Sequence, residues 1–243
     1  MNWKIFPKTP EILPGFVHVV CVDSACKAEF YEPSWHVLNQ EEKESCLRFR
    51  FEKDKIQHIL SRGCLRILLG KYLDVPAQLI NFTTTSHGKL AIAEETNLFT
   101  FNVTHSDDLI LFAFALTEQL GIDVEHVLVN RDFVGMAKRF FADDEYSALI
   151  QLPNDQQTQA FYHIWTRKEA FIKAIGEGLS HPLDSFSVNL TENQAALIRS
   201  EHLGEKIQQW SLASFSPKEN YIAALAIDKP FITTEFFTLE NLC

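Results

Sequence analysis

Basic charge is scarce in this sequence. Its 22 lysines and arginines stand against 32 aspartates and glutamates, a net charge of −10 over 243 residues. That balance argues against broad nucleic-acid binding, which needs a basic surface to displace counterions. It leaves room for a local basic pocket that takes a small phosphorylated molecule. Cysteines are few, and the five present (Cys21, Cys26, Cys46, Cys64, Cys243) are odd in number with no C-x-x-C pair. Neither a zinc cluster nor a disulfide framework is expected, and scattered buried thiols are. Long apolar runs are missing too: the longest, Leu109–Leu116, has eight residues, against the ~20 that cross a bilayer. The first fifteen residues carry Pro7, Pro10 and Pro14 and no apolar signal core. A soluble, cytoplasmic chain is the expectation.

Hydrophobic residues make up 46% of the chain and charged residues 22%, so a core is available and wholesale disorder is excluded. The length suits one large domain or two halves of about 120 residues. Residues 15–23 read as a strand. Asn39 followed by Glu42 is a helix-start signature, and a helical region follows over 40–73, broken near Phe51. Ile56, Ile59, Leu60, Gly63 and Ile67 recur at three and four residues and predict a core-facing stripe. Strands are predicted at 80–84, 89–93, 100–103 and 109–116, with a turn at Ser86-His87-Gly88. The second half repeats this order: a strand at 120–125, helices at 131–141, 144–152 and 153–175, then strands at 184–190, 206–215, 221–227 and 231–237. Arg48-Phe49 and Arg139-Phe140-Phe141, each ahead of a charged helix start, echo one another. The expected fold is α+β with two pseudo-symmetric lobes, residues 1–117 and 118–243. Each lobe packs helices on a small antiparallel sheet, and the ligand site lies in the cleft between them.

Gly121-Ile122-Asp123-Val124-Glu125 alternates apolar and acidic residues. Residues two apart in a strand share a face, so Asp123 and Glu125 project together while Ile122 and Val124 point to the core. Two such carboxylates suit a hard divalent cation, and magnesium usually takes one or two of them with phosphate and water. An ordinary solvated acidic face has the same pattern. Trp165, Glu169 and Lys173 fall at i, i+4 and i+8 on the longest predicted helix. A surface Glu–Lys pair contributes only ~0.2–0.5 kcal/mol, but Trp165 on the same stripe implies partial burial, where both charges need partners. A bound ion with a phosphate supplies them. Phe101-Asn102-Val103-Thr104-His105-Ser106 ends a strand with groups able to hold phosphate oxygens, or with the polar residues of an ordinary turn. Gly176 and Gly178 read as helix-cap and turn residues, and His126 and His163 as structural.

In their order and spacing, residues 101–106, 121–125, 165–173, 176 and 178–179 together resemble the surfactin-type (Sfp-type) 4′-phosphopantetheinyl transferases. The resemblance extends through Ala137-Lys138-Arg139-Phe140-Phe141, Tyr146, Phe161-Tyr162-His163 and Pro182-Leu183-Asp184-Ser185-Phe186. It is strong over about residues 100–190 and looser elsewhere. The Trp-x-x-Lys-Glu-Ala form at 165–170 is similar to the bacterial branch that serves secondary-metabolite synthases. The resemblance implies coenzyme A and Mg²⁺ (or Mn²⁺ in its place) between the two lobes. It implies transfer of the phosphopantetheine arm of coenzyme A to a serine of an apo-carrier protein of peptidyl, polyketide or acyl type, with release of adenosine 3′,5′-bisphosphate. By position, it implies Asp123, Glu125 and Glu169 as metal ligands. Lys173 would neutralise or protonate the departing phosphate, and Glu169 is the favoured base for the carrier serine, directly or through a water on the cation. Thr104 and His105 would touch the coenzyme A phosphates, and Lys89 would lie near the adenine. The family's Gly-Lys-Pro stands here as Gly88-Lys89-Leu90. Basic residues that commonly face the 3′-phosphate are replaced around Glu42, Ser45 and Gln57, with Arg48, Lys53, Lys55 and His58 nearby.

The residues support this chemistry in their own right. Attack on a pyrophosphate needs charge neutralised on the bridging and departing oxygens, which one divalent ion and Lys173 provide. Carrier proteins are usually acidic, as this chain is, so docking falls to a local patch. Arg131, Lys138 and Arg139 beside Phe133, Val134 and Met136 offer one, unless that apolar stripe packs inward. A monomer is expected, with no nucleic-acid or membrane partner. Two other readings stand beside this one. The first is a non-catalytic coenzyme A or carrier-binding protein of the same fold, which the three carboxylates and Lys173 argue against. The second is a different Mg²⁺-dependent pyrophosphate-cleaving enzyme that turns over nucleotides without a carrier.

Overall fold

The computed structural model describes residues 1–93, 98–129, 131–191, 194–230 and 232–239, with the side chains of 26–28 and 179 outside the description. The first half runs β1 (Lys4–Ile5), β2 (Phe16–Asp23), α1 (Lys27–Val37), α2 (Gln40–Cys46), α3 (Glu52–Leu73), β3 (Phe82–Thr84), β4 (Leu90–Ile92), β5 (Phe99–Ser106) and β6 (Leu109–Leu116). The second half runs β7 (Leu120–His126), α4 (Phe133–Phe140), α5 (Asp143–Ile150), α6 (Asn154–Ile175), β8 (Phe186–Val188), β9 (Leu197–Ser200), β10 (Ser211–Phe215), β11 (Tyr221–Ile227) and β12 (Thr233–Thr238).

Two sheets carry the fold, one of five strands in the order β1-β12-β2-β6-β5 and one of three in the order β10-β11-β7. The unbroken apolar run of β6 follows from its place. Leu109, Leu111, Ala113 and Ala115 meet Leu120, Ile122, Val124 and Leu225 of the second sheet. Ile110, Phe112 and Phe114 face the other way, onto Leu60, Leu65 and Leu68 of α3. In β11, Ala223 and Leu225 join the core between the sheets, while Ile222, Ala224 and Ala226 pack with the α6 side. A strand covered on both faces has no polar side to show. The layers are therefore helices, sheet, sheet, helices, with α3 and α6 as the long outer elements. This is the expected two-lobed α+β architecture.

The Asn39–Glu42 signature forms a full capping box: the Glu42 N–H donates to Asn39 Oδ1 at 2.8 Å and the Asn39 N–H to Glu42 Oε2 at 3.0 Å. Three features depart from expectation. The first sheet is mixed rather than antiparallel, because β12 lies parallel to both β1 and β2. Helix α1 was not legible, since Pro33 lies inside it and removes a helical donor. Tertiary packing holds it: at Gly63 of α3 a Cβ would stand 2.3 Å from the Cβ of Ser34, so only glycine lets the helices approach. The predicted strand at 206–215 is a strand only over Ser211–Phe215, because Gly204–Gln209 coils into a 3₁₀ helix after Gly204 takes a φ of 52°. Phe231, where the last strand was predicted to begin, lies outside the described residues, as does Cys243. Cys21, Cys46 and Cys64 are free, the latter two buried.

Candidate active site

The site forms where β5 meets β7 across the two sheets. Asn102, Thr104 and Ser106 share one face of β5, and each reaches β7 with its side chain. Asn102 Oδ1 accepts from the Ile122 N–H at 2.9 Å, and Ser106 Oγ accepts from the His126 N–H at 3.0 Å. The Ser106 hydroxyl donates to Glu125 Oε2 at 3.1 Å, and the Thr104 hydroxyl to Asp123 Oδ1 at 3.2 Å. The motif at 101–106 is thus the stitching between lobes.

Ile122 and Val124 are buried between the sheets, which turns Gly121, Asp123 and Glu125 toward α6. Gly121 sets how closely α6 approaches. A Cβ there would stand 2.0 Å from the Ala170 carbonyl oxygen and 2.5 Å from the Ala174 nitrogen, so no larger residue fits without moving the helix. The same approach brings Lys173 Nζ to 2.6 Å from Asp123 Oδ1 and 3.1 Å from Thr104 Oγ1. Val103, Thr104, His105, Asp123, Glu125, Trp165, Glu169 and Lys173 line one open cavity of about 340 Å³. Six of the seven predicted site residues meet there.

The cavity concentrates acid in poorly hydrated surroundings. Burial raises the pKa of Asp123 against the opposing pull of Lys173, and burial followed by repulsion from Asp123 raises that of Glu125. The Glu169 carboxyl is pushed up to about 7, first by burial, then by Asp123 and Glu125, with Lys173 partly offsetting. Three carboxylates crowding one site resist joint ionisation unless a cation joins them. Asp123 Oδ2 is buried without a hydrogen-bond partner, an orphaned hard-oxygen donor of the kind magnesium takes. As placed, no three acidic, histidine or cysteine side chains among the described residues converge into a metal-binding group, and Asp123 Oδ1 is taken by Lys173. The donor set therefore fits a hard cation in chemistry, through an oxygen left free for it.

Lys89, the seventh predicted residue, sits apart from this cavity. Its ammonium donates to the Leu120 carbonyl at 3.0 Å and the Ala174 carbonyl at 2.9 Å, clamping the start of β7 to the end of α6. Burial lowers its pKa to about 8. It lines the neighbouring cleft with Gly88, Leu90, Asn102 and Gly176. Gln57 and Lys53 brace the β5–β6 turn, Gln57 donating to the Asp107 carbonyl at 3.0 Å and Lys53 to its carboxylate at 2.6 Å.

Arg167 and Lys168 escaped sequence reasoning. The Lys168 ammonium is fully buried and donates to the Leu183 carbonyl at 2.7 Å and the Phe186 carbonyl at 2.6 Å, with Glu145 Oε2 at 2.8 Å. Arg167 donates to Ser214 Oγ at 2.8 Å and to the Asn189 and Thr191 carbonyls. Together they tie α6 to α5, β8 and β10. The available signal was that apolar residues ring α6 nearly all round at 160–174, so any charge within that stretch has to be buried and paired.

Comparison with known proteins agrees with this geometry. Residues 25–119 match a family model described as 4′-phosphopantetheinyl transferase, N-terminal, and residues 119–226 match the 4′-phosphopantetheinyl transferase superfamily model. The chain is 35% identical over 193 residues to 4′-phosphopantetheinyl transferase HetI of Nostoc sp., 78% of each chain. It is 34% identical to 4′-phosphopantetheinyl transferase Sfp of Bacillus subtilis, over 73% of this chain and 77% of that one. With 4′-phosphopantetheinyl transferase psf-1 of Bacillus pumilus it shares 32% identity over 83% of this chain and 84% of the relative. The matched residues 25–226 include β5, β7 and α6, which build the acidic cavity: the chain belongs to the 4′-phosphopantetheinyl transferase family.

Proposed function

We propose that this chain transfers the 4′-phosphopantetheine arm of coenzyme A to a serine of an apo-carrier protein and releases adenosine 3′,5′-bisphosphate. The observation that carries the reading is the shared cavity of Asp123, Glu125, Glu169 and Lys173, closed by the 2.6 Å contact between Lys173 and Asp123. Residues 1–117 and 118–243 are its two lobes, with β12 lent to the sheet of the first. Mg²⁺, or Mn²⁺ in its place, would be held by Asp123, Glu125 and Glu169. A bound divalent ion supplies charge neutralisation on the pyrophosphate oxygens.

The chain's own residues do the rest. The carrier serine oxygen forms a bond to the phosphorus that bears the pantetheine, and the bond from that phosphorus to the bridging oxygen breaks. Glu169 takes the serine proton as the general base. Lys173 neutralises the departing 5′-phosphate of the nucleotide. Thr104 holds Lys173 in line, and His105, at the exposed rim, meets the donor phosphates. For the carrier, α4 turns Phe133 and Ala137 inward and leaves Val134, Lys138 and Arg139 exposed, a small basic-apolar patch for an acidic helix. The protein works in the cytoplasm as a monomer.

Incubation with coenzyme A, Mg²⁺ and a panel of apo-carriers, read by intact mass, tests the reading. Gain of one phosphopantetheine on a carrier is the expected result. Coenzyme A binding without any mass gain favours a non-catalytic carrier-binding protein, and nucleotide turnover without a carrier favours a pyrophosphate-cleaving enzyme.

A further inference from the structure

The Arg-Phe echo in the sequence has a counterpart in space. Arg48-Phe49 lies between α2 and α3, and Arg139-Phe140 ends α4. The Phe49 ring stands 5.1 Å from the His58 ring of α3, and the Phe140 ring 6.0 Å from the Trp165 ring of α6. Each phenyl thus rests on the long helix of its own lobe. Trp165 lines the acidic cavity directly. His58 shares a small pocket with Val103 and lies close enough to His105 for their charges to repel. Val103 and His105 also line the acidic cavity. One Arg-Phe pair therefore stands on the first-lobe side of the cavity rim and the other on the second-lobe side.

The first-lobe segment is open to solvent. Leu47 is 70% exposed and Phe51 60%, with Phe49 between them at 39%. Arg48 and Arg50 alternate with these three and are exposed as well. The Arg50 guanidinium lies 5.4 Å over the Phe51 ring, as that of Arg139 lies 5.1 Å over Phe140. The lysines that follow are engaged: Lys53 Nζ stands 2.6 Å from Asp107 Oδ1, and Lys55 Nζ 3.4 Å from Glu52 Oε2. Arg48 and Arg50 have no carboxylate partner among the described residues. Contiguous large apolar side chains left in water mark an interaction surface. In a chain of net charge −10, five residues holding two arginines and no carboxylate suit an anionic partner.

We infer that residues 47–51 form a second docking strip for the apo-carrier, so that its acidic face is held from both lobes. Arg48 and Arg50 around Leu47 and Phe51 take it on one side, and the Val134, Lys138 and Arg139 patch of α4 on the other. The inference rests on the proposed transfer. A carrier that delivers its serine to Glu169 must sit over the cavity mouth, and both strips flank that mouth. Its carboxylates then meet the guanidiniums while its apolar strip covers Leu47 and Phe51. An anionic bilayer is a poorer match, because it lies against a chain of net charge −10, whereas a carrier touches only the rim.

Calorimetry against the carrier panel, each member lacking its acceptor serine, tests this without turnover. Phe51→Ala should weaken the tightest wild-type complex about tenfold, the loss expected of an anchoring aromatic. Arg50→Glu should weaken it about as much at low salt and less at high salt. Both variants should keep their affinity for coenzyme A within about twofold of the wild type. Carrier affinity unchanged in both variants, coenzyme A affinity lost in step with it, or no binding by any panel member overturns the strip. So does binding to phosphatidylglycerol vesicles that Phe51→Ala abolishes while carrier affinity stays. Failure of the transfer reading looks different: no intact carrier gains phosphopantetheine from the wild type, while Phe51→Ala still weakens a carrier complex.

Discussion

Lys173 Nζ lies 2.6 Å from Asp123 Oδ1, joining the last turns of α6 to the middle of β7. This contact ties α6 to the second sheet, while the bond from the same ammonium to Thr104 Oγ1 at 3.1 Å reaches β5 of the first, and both charges line the cavity with Glu169. Lys173→Ala should lower kcat about 100-fold or more while changing the KM for coenzyme A far less, because the ammonium acts mainly on the departing phosphate. Lys173→Arg should recover part of the rate. Steady-state kinetics decides, and an effect confined to KM would show that Lys173 only binds the donor.

Glu169 gives a pH signature in the cation-free protein. Its carboxyl is raised from 4.5 to about 7. At low pH both folded and unfolded chains hold the proton, so the group is neutral to stability. As pH rises from about 4.5 to 7 the unfolded chain releases it more readily, and stability falls; above that window the loss is constant. Glu169→Gln should therefore raise Tm at pH 8 and leave it nearly unchanged at pH 4, with about 2–4 °C for each kcal/mol recovered. Added Mg²⁺ should raise the wild-type Tm at pH 8 and that of the variant much less. Thermal melts at the two pH values check the sign.

Gly121→Ala places a Cβ 2.0 Å from the Ala170 carbonyl oxygen, a backbone atom that cannot swing aside. The variant should lose about 2 kcal/mol or more. Its transfer rate should fall further than the stability loss explains, since α6 must back away from β7. Urea denaturation and transfer rate, measured on the same preparation, separate the two effects.

Lys168 and Glu145 form a buried pair, 0% and 1% exposed. Removing one member strands the other, so Lys168→Ala should cost about 3–5 kcal/mol. Lys168→Met with Glu145→Gln should cost less, because neither buried charge is then left alone. A larger loss in the double variant, by chemical denaturation, would contradict this account.

Much of the site was legible because strand periodicity is strict: Asp123 and Glu125 had to share a face, and Ile122 and Val124 had to be buried. Helical spacing placed Trp165, Glu169 and Lys173 together for the same reason. What the pattern could not show was long-range. Strand β12 crosses back to pair with β2, and no local signal announces a parallel partner more than 200 residues away. Helix α1 carries Pro33 and owes its place to Gly63, so propensity argued against it while packing decided for it. Lys89 followed a glycine at a turn, where solvation is the usual fate. The Leu120 and Ala174 carbonyls that hold it come from elements 31 and 85 residues away.

The most direct test of the account is single-turnover loading of an apo-carrier by wild type and Glu169→Gln, with coenzyme A and Mg²⁺, followed by intact mass. The account predicts full modification by the wild type, and none by the variant over the same interval although it still binds coenzyme A. Modification by Glu169→Gln at near the wild-type rate would contradict it.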